Sequence, residues 1–297
     1  MSKATRLYQF LHGMTQKTTY PSVINFDITS KCNLYCEHCY WRKNYDPAGE
    51  FTDSEWEEIF KDFYSKGAHS AFLTGGEPSL RLKVIESAYQ IFDTITIVSN
   101  GTIRIPEEIQ TRIFISIDGP KEIHEKIRGR NVFDSIMTNI KNDKRVVLTP
   151  TLSTTNYHYI EDLVQIARES NVDGITFSTY AANDKETDKL LLRGEELDWT
   201  VNKLEEIWRK NKDIVFLSPK IIKLFKSKKF YKNCYLRNQT KEISYDAQLK
   251  QKEPCVLGEG VDCSTCGCIV PIVAYAMSRI DVRAWLLFDK LFSERYY

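Results

Sequence analysis

The chain has 297 residues, enough to bury a large core as one domain with an appendage. Its 41 basic and 40 acidic residues leave a formal net charge of +1, so nothing indicates a basic nucleic-acid-binding surface and we expect no nucleic-acid partner. Eight cysteines without a signal-peptide pattern after Met1 favour metal ligation in a reducing, cytoplasmic setting over disulfides, and the longest apolar run, Ile269 to Met277, is too short to span a bilayer.

The first predicted element is a strand over Ser22–Ile28, where apolar and polar residues alternate. A loop with the spacing C-x3-C-x2-C follows, at Cys32, Cys36 and Cys39. Three thiolates on one loop can hold three corners of a cubane iron–sulfur cluster and leave its fourth iron open. A closed zinc site would need a fourth protein ligand, and His38 is next to Cys39 in the sequence, where it can hardly turn onto the same metal. From the residues alone, a zinc loop and three unrelated thiols remain the alternatives.

A helix and a second strand lead to the next motif. Thr52 to Glu55 form a capping box, followed by apolar residues at helical spacing. The second predicted strand, His69–Thr74, runs directly into the sequence Gly75-Gly76-Glu77-Pro78. With the cysteine loop after the first strand and this motif after the second, the chain resembles the radical S-adenosylmethionine (SAM) superfamily over roughly residues 20–220.

Strands and helices alternate through the rest of this region. The further predicted elements are helix Leu82–Phe92, strand Thr94–Val98, strand Arg112–Ile117, helix Phe133–Lys141, strand Arg145–Leu152, helix Ile160–Glu169, strand Gly174–Phe177 and a helix around Trp199–Lys210. This alternation predicts an α/β fold with a parallel sheet, and six strands fit the partial six-stranded (β/α)6 TIM-like barrel of the resembled family. We expect the barrel core in residues 1–220 and a C-terminal cysteine-rich extension in residues 221–297.

The resemblance implies cofactors and a reaction. It implies that Cys32, Cys36 and Cys39 hold a 4Fe–4S cluster whose open iron is chelated by SAM. An electron donor such as flavodoxin or ferredoxin would supply the electron, and cleavage of SAM would give a 5′-deoxyadenosyl radical that attacks a substrate. In such enzymes the cofactor carries the difficult chemistry while the protein orients it.

The resemblance also implies where SAM binds. Parallel sheets bind ligands at the carboxyl ends of their strands, so the motifs that follow the strands should meet at one rim. The positions that match the loop receiving the methionine ammonium group are Gly75, Gly76, Glu77 and Pro78. The positions expected near the rest of the cofactor are Ser99, Asn100, Ser116, Asp118 and Tyr40. Asn-Gly and Asp-Gly are also common turn sequences, so a purely structural role is the alternative for several of them.

A second cysteine group lies near the C-terminus. Cys255, Cys263, Cys266 and Cys268 have the spacing C-x7-C-x2-C-x-C, and Cys234 precedes them by about twenty residues. Four cysteines within fourteen residues, among glycine and aspartate, do not resemble a core pattern. We predict that these four bind a second, auxiliary iron–sulfur cluster that closes the open side of the barrel. Structural zinc and unligated thiols are the alternatives, and the role of Cys234 stays open.

The sequence does not identify the substrate, which the family resemblance leaves as a small molecule, a lipid or a peptide. Val172 to Ser178 and the Cys234 and Pro254-Cys255 stretches loosely resemble enzymes that add a 5′-deoxyadenosyl group to hopene lipids. Apolar residues recur at helical spacing near the C-terminus, at Ile280, Ala284, Leu287, Phe288 and Leu291. Such a stripe usually packs into a core; the alternative is a wall for a lipid substrate or a peripheral membrane contact. A non-catalytic, zinc-binding scaffold is the alternative to an enzyme.

Overall fold

The computed structural model describes residues 21–40, 49–234, 236–237, 242–279 and 281–292. The helices in this part of the chain are α1 (Asp53–Ser65), α2 (Leu82–Ile91), α3 (Lys121–Arg128), α4 (Phe133–Ile140), α5 (Ile160–Glu169), α6 (Gly194–Lys210), α7 (Pro219–Ser227), α8 (Ile269–Ser278) and α9 (Val282–Phe292). The strands are β1 (Val23–Asp27), β2 (Ser70–Thr74), β3 (Thr94–Ser99), β4 (Arg112–Ile115), β5 (Val146–Leu148), β6 (Thr151–Leu152), β7 (Gly174–Ile175), β8 (Ser178–Thr179), β9 (Glu242–Tyr245) and β10 (Gln251–Lys252).

The larger sheet has the strand order β10-β9-β1-β2-β3-β4-β5-β7, and every pair in it is parallel except β9 with β10. β6 and β8 form a separate parallel pair. They continue β5 and β7 after short breaks, one of them at Pro150, which has no N–H to donate. Counting β5 with β6 and β7 with β8 as single interrupted strands gives the six core strands, so the predicted α/β partial barrel is confirmed.

The helices cover the outer face of the sheet. Phe26 of β1 packs against Trp56, Phe60 and Phe63 of α1, with ring centroids 5.8, 5.3 and 5.1 Å away. α1 begins with the predicted capping box, in which the Thr52 side chain accepts from the backbone N–H of Glu55 and the Glu55 carboxylate accepts from that of Thr52. Because Phe26 faces outward, its neighbours Asn25 and Asp27 on β1 face the barrel interior.

The chain after α7 joins both edges of the barrel. β9 pairs in parallel with β1, placing Glu242 opposite Val23. Farther along, Gly267 forms an antiparallel bridge with Thr179 of β8 at the opposite edge, where the Thr179 N–H donates to the Gly267 carbonyl at 2.9 Å. The segment from β9 to α8 therefore spans the opening between the two edges. The predicted domain boundary at residue 220 stays a prediction, and it falls inside α7.

The C-terminal apolar stripe packs into the core. Ala284, Leu287 and Leu291 are at most 5% exposed, which confirms the core interpretation for these three positions. Ile280 and the side chain of Phe288 lie outside the described part of the chain. None of the described helices is long and apolar enough to cross a membrane.

Five elements were not predicted from the sequence: α3, α7, α8, β9 and β10. The sequence of α3, Lys-Glu-Ile-His-Glu-Lys-Ile-Arg, is eight residues long and has only two apolar residues, so it is easily overlooked. β9 and β10 are four and two residues long and depend on pairing with β1 and with each other.

Candidate active site

The cysteine loop leaves the carboxyl end of β1 and is held against the end of α3. The backbone N–H groups of Tyr35 and Glu37 donate to the carbonyls of Arg128 and Ile127 at 3.1 and 2.8 Å. Gly129, with φ +71°, permits this approach, because a Cβ there would lie 2.8 Å from the Tyr35 carbonyl oxygen. The loop thereby presents three unpaired thiols, of Cys32, Cys36 and Cys39, to one cavity of about 310 Å³.

The Gly75-Gly76 turn packs against the segment that connects β1 to the cysteine loop. The Gly76 N–H donates to the Thr29 carbonyl at 2.9 Å, and the Glu77 N–H donates to the Lys31 carbonyl at 2.8 Å. A Cβ on Gly76 would lie 2.2 Å from the Lys31 oxygen, and one on Gly75 would lie 2.5 Å from the Thr29 oxygen. Both glycines are therefore required by loop–loop contact, and both line the cavity beside the thiols.

Glu77 connects this turn to the end of β3. Its buried carboxylate accepts from the Ser99 hydroxyl at 2.7 Å, from the Asn100 N–H at 2.7 Å and from the Ser79 N–H at 2.9 Å. Burial raises the pKa of Glu77, against the effect of these hydrogen bonds, which favour its charged form. Pro78 begins a buried 3-10 turn after the motif and is absent from the residues that line the cavity.

The residues expected to contact the cofactor at the ends of β3 and β4 differ in their hydrogen bonds. Ser99, Asn100 and Ser116 line the cavity. The Asn100 amide is already used within the rim, because it donates to Asn33 of the cysteine loop at 2.8 Å. No hydrogen bond joins the Ser116 hydroxyl to any other residue among those described, so this hydroxyl is available to a ligand.

Asp118 has a different place from the expected one. It is fully buried behind the rim, and its carboxylate accepts from the Arg128 guanidinium at 2.6 Å and from the Thr151 N–H at 3.0 Å. The attraction of Arg128 lowers the pKa of Asp118 against the effect of burial. We correct the expected role accordingly: Asp118 anchors Arg128 and is not among the residues that line the cavity.

Arg128 is a site residue that the sequence did not reveal. It lines the cavity, and its guanidinium lies 3.7 Å from the Cys36 sulfur while it pairs with Asp118. A fixed cation beside a thiol favours the thiolate, which is the form that binds iron. Arg128 belongs to the weakly patterned helix α3 and follows Asp118 by ten residues, so only the tertiary fold brings it to the cysteine loop.

The second cysteine group also converges. Five thiols and apolar neighbours, including Phe230 and Pro271, line one small cavity; the thiols are those of Cys234, Cys255, Cys263, Cys266 and Cys268. Burial raises the pKa of Cys266 to about 11 and that of Cys255 to about 12, so these thiols need a bound cation to ionise at neutral pH. Cys234, whose role was open, lies with the other four.

The unusual Cys266-Gly267-Cys268 spacing has a steric cause. A Cβ on Gly267 would lie 1.7 Å from the Thr179 hydroxyl oxygen and 2.8 Å from the Thr179 carbonyl oxygen. Only glycine can pair with β8 at this distance. Cys268 lines both this small cavity and the cavity beside the three rim thiols. The second cysteine group therefore borders the cavity that the first cysteine group lines.

The donor sets suit iron–sulfur clusters better than single metal ions. Within the described residues, no three His, Cys, Asp or Glu side chains are close enough to hold one metal ion. A zinc ion would need its thiolates about 2.3 Å from one centre, whereas each thiolate of a 4Fe–4S cluster binds a different iron and the ligands stand farther apart. Three thiols at the rim and five beneath the extension supply the cysteine ligands that such clusters take.

Tyr40 and the extension complete the cavity. Tyr40 lines it between the cysteine loop and the second cysteine group, and burial raises its pKa well above the usual value. The wall opposite the rim comes from the extension, at Leu236, Glu242, Val256, Leu257, Ile269 and Val270. The carboxyl group of Glu242 faces a cavity whose surrounding wall is mostly apolar.

Comparisons with known proteins show which family part of this chain resembles. The radical SAM superfamily matches residues 26–149. The AdoMet-dependent heme synthase of Methanosarcina barkeri is 31% identical over 173 residues, which are 52% of this chain and 50% of that protein. The sporulation killing factor maturation protein SkfB of Bacillus subtilis is 28% identical over 177 residues, covering 54% of this chain and 43% of that protein.

A solved structure extends the likeness beyond the matched region. Streptococcus suis SuiB bound to the precursor peptide SuiA superposes with a TM-score of 0.65 at 15% identity, covering 92% of this chain and 67% of SuiB. At this identity the likeness shows the fold. The chain spans about half the length of the two curated relatives, and none of these three proteins supports the loose hopene-type resemblance. The cysteine loop and the glycine turn both lie within residues 26–149, the region of this chain that matches the radical SAM superfamily.

Proposed function

We propose that this chain is a radical SAM enzyme that binds a 4Fe–4S cluster through Cys32, Cys36 and Cys39 and cleaves SAM reductively in the cavity beside them. The observation that carries the proposal is the placement of these three thiols, the Gly75-Gly76 turn and the ends of β3 and β4 around one cavity. When bound there, the cluster and SAM together supply a 5′-deoxyadenosyl radical. A reductant such as flavodoxin or ferredoxin is needed to supply the electron.

The residues of the chain hold and orient these groups. The Gly75-Glu77 turn would receive the SAM ammonium group on backbone carbonyls, since the Glu77 carboxylate is already used by Ser99 and Asn100. The Ser116 hydroxyl and the Arg128 guanidinium face the same cavity and suit a ligand carboxylate. The segment from β9 to α8 covers the open side of the barrel, which keeps bulk water away from a reactive intermediate.

A second cluster, bound by cysteines of the extension, is part of the proposal. The supporting observation is the cavity lined by Cys234, Cys255, Cys263, Cys266 and Cys268. Five thiols exceed the four ligands of a closed cluster, and Cys268 also borders the SAM cavity. The substrate is proposed as a small molecule or a peptide; the burial of Ala284, Leu287 and Leu291 removes the lipid-facing wall that favoured a lipid.

The test is formation of 5′-deoxyadenosine. The protein is reconstituted anaerobically with iron and sulfide, reduced with dithionite and incubated with SAM, and the products are separated by chromatography. The parent should form 5′-deoxyadenosine, and Cys36→Ala should form none, because two thiolates hold a cubane poorly. Tyr35→Phe, in the same loop, is the matched control and should retain product formation. A parent protein with a full cluster and no 5′-deoxyadenosine would refute the proposal.

A further inference from the structure

Glu242 is a buried acidic side chain that has no partner among the described residues. It is 7% exposed, and none of the described residues forms a hydrogen bond or an ion pair with its carboxyl group. It lines the same cavity as the three rim thiols. An unpaired carboxyl group in an apolar wall destabilises the fold, so its presence there calls for a ligand.

The strand pairing shows that Glu242 faces the barrel interior. β9 pairs in register with β1, so that Glu242 is opposite Val23 and Ser244 is opposite Asn25. Tyr245 stacks on the outward-facing Phe26, with ring centroids 6.2 Å apart. Since side chains alternate along a strand, Glu242 and Ser244 share the inner face with Asn25, which also lines the cavity.

The position of Glu242 separates it from the groups proposed to hold SAM. Those groups lie at the carboxyl ends of β1 to β4, whereas Glu242 is in register with the first residue of β1, four residues before that strand ends. At about 3.3 Å per residue, this places it roughly 13 Å below the rim. The cavity therefore reaches from the SAM-binding rim into the barrel, and Glu242 stands at its inner part.

On the basis of the proposed function, we propose that Glu242 is the substrate-recognition residue and that it binds a basic nitrogen of the substrate, an ammonium or guanidinium group. Among the described residues that line the cavity, the one Lys or Arg side chain is that of Arg128, which is already paired with Asp118, so we assign the charge that complements Glu242 to the ligand. A charge-assisted hydrogen bond in a site closed to water is about twice as strong as a neutral one. Burial raises the pKa of Glu242 to about 8, as expected for a carboxyl group that still lacks its cation.

The test uses n-butylamine, n-butyramide and n-butyrate as probes of equal length. Their binding to the anaerobically reconstituted full chain in the presence of SAM is measured by calorimetry at pH 7, for the parent, Glu242→Gln and Glu259→Gln. Glu259 is exposed and belongs to the same extension, so its variant controls for the change in net charge. The parent and the Glu259 variant should prefer the amine, and Glu242→Gln should bind it at least about tenfold more weakly.

Three results would overturn the assignment. They are an amine affinity equal in the parent and in Glu242→Gln, an absence of preference for the amine in the parent, and a loss of SAM affinity in Glu242→Gln with amine binding intact. The last result would place Glu242 in the SAM site. Formation of 5′-deoxyadenosine by the parent is measured separately, so a failure of the proposed function is distinguished from a failure of this assignment.

Discussion

At the scale of single residues, the site depends on a buried ion pair behind the cysteine loop. Arg128 and Asp118 are each at least nine-tenths buried and joined at 2.6 Å, and Arg128 in turn reaches Cys36. The Arg128 guanidinium is thereby positioned next to the Cys36 thiol, while the Asp118 carboxylate compensates its charge. Removing one partner of such a pair leaves the other charge buried without compensation.

We expect Asp118→Asn to lower the free energy of unfolding of the apo-protein by about 3–5 kcal/mol, measured by urea denaturation. The matched control is Asp134→Asn, which breaks the exposed ion pair of Asp134 with Lys121 and should change stability by less than about 1 kcal/mol. The double variant Asp118→Asn/Arg128→Met should be more stable than the single variant. If Asp118→Asn is as stable as its control, Asp118 does not compensate Arg128.

The buried side chain of His124 makes the stability of the fold depend on pH. It is buried, its Nδ1 accepts from the Asp118 N–H at 3.2 Å, and burial lowers its pKa to about 4. The unfolded chain takes up this proton near pH 6.5 and the folded chain does not, so stability is present above pH 6.5 and falls as the pH drops towards 4.

The contribution of His124 to this loss should be roughly 3 kcal/mol at most. Urea denaturation at several pH values between 7 and 4.5 should show a shallower loss for His124→Asn than for the parent. His69→Asn, at a half-exposed histidine, is the control and should leave the slope unchanged. Equal slopes for the parent and His124→Asn would contradict the burial of a neutral imidazole.

The local motifs of the site could be predicted from the sequence, and its remote members could not. Cys32, Cys36 and Cys39 lie within eight residues and follow a recognisable strand, so their spacing alone carries the signal. Arg128 and Glu242 each come from a short element with few apolar residues and reach the cavity only through tertiary packing. The difference at Asp118 has the same origin, because Asp-Gly after a strand does not reveal that a cation ten residues later occupies the carboxylate.

At the scale of elements, the extension is joined to the barrel at two edges. Parallel pairing with β1 fixes β9, and the Gly267–Thr179 bridge fixes the end of the cysteine-rich segment just before α8. The alternation of helices and strands predicted the barrel because each element carries its own pattern. The closure depends on contacts between distant segments, which no local pattern encodes.

We expect Gly267→Ala to separate the extension from β8, because its Cβ would overlap the Thr179 hydroxyl oxygen. The unfolding free energy of the apo-protein should fall by about 1–3 kcal/mol, and iron bound by the second cysteine group should decrease. The control is Ser264→Ala, three residues earlier, which removes a hydroxyl oxygen and creates no overlap. It should change neither the unfolding free energy nor the amount of bound iron. Retention of full stability and full iron content in Gly267→Ala would show that the bridge is dispensable.

At the scale of the whole molecule, two cysteine groups border one cavity. The rim group follows β1 and the second group follows β10, yet the fold places Cys39, Tyr40 and Cys268 on the same wall. The barrel supplies the rim at which we propose that SAM binds, and the extension supplies the remaining wall together with Glu242. Both parts of the chain therefore contribute residues to the cavity.

The most direct test of a two-cluster site is the iron and acid-labile sulfide content of the anaerobically reconstituted chain. The parent should hold roughly eight irons, and both Cys263→Ala/Cys266→Ala and Cys32→Ala/Cys36→Ala should hold roughly four, since each cubane contains about four. Ser264→Ala should match the parent. If the parent holds roughly four irons and Cys263→Ala/Cys266→Ala keeps all of them, the second cluster is contradicted. If both cysteine groups hold zinc in place of iron and sulfide, the account as a whole is contradicted.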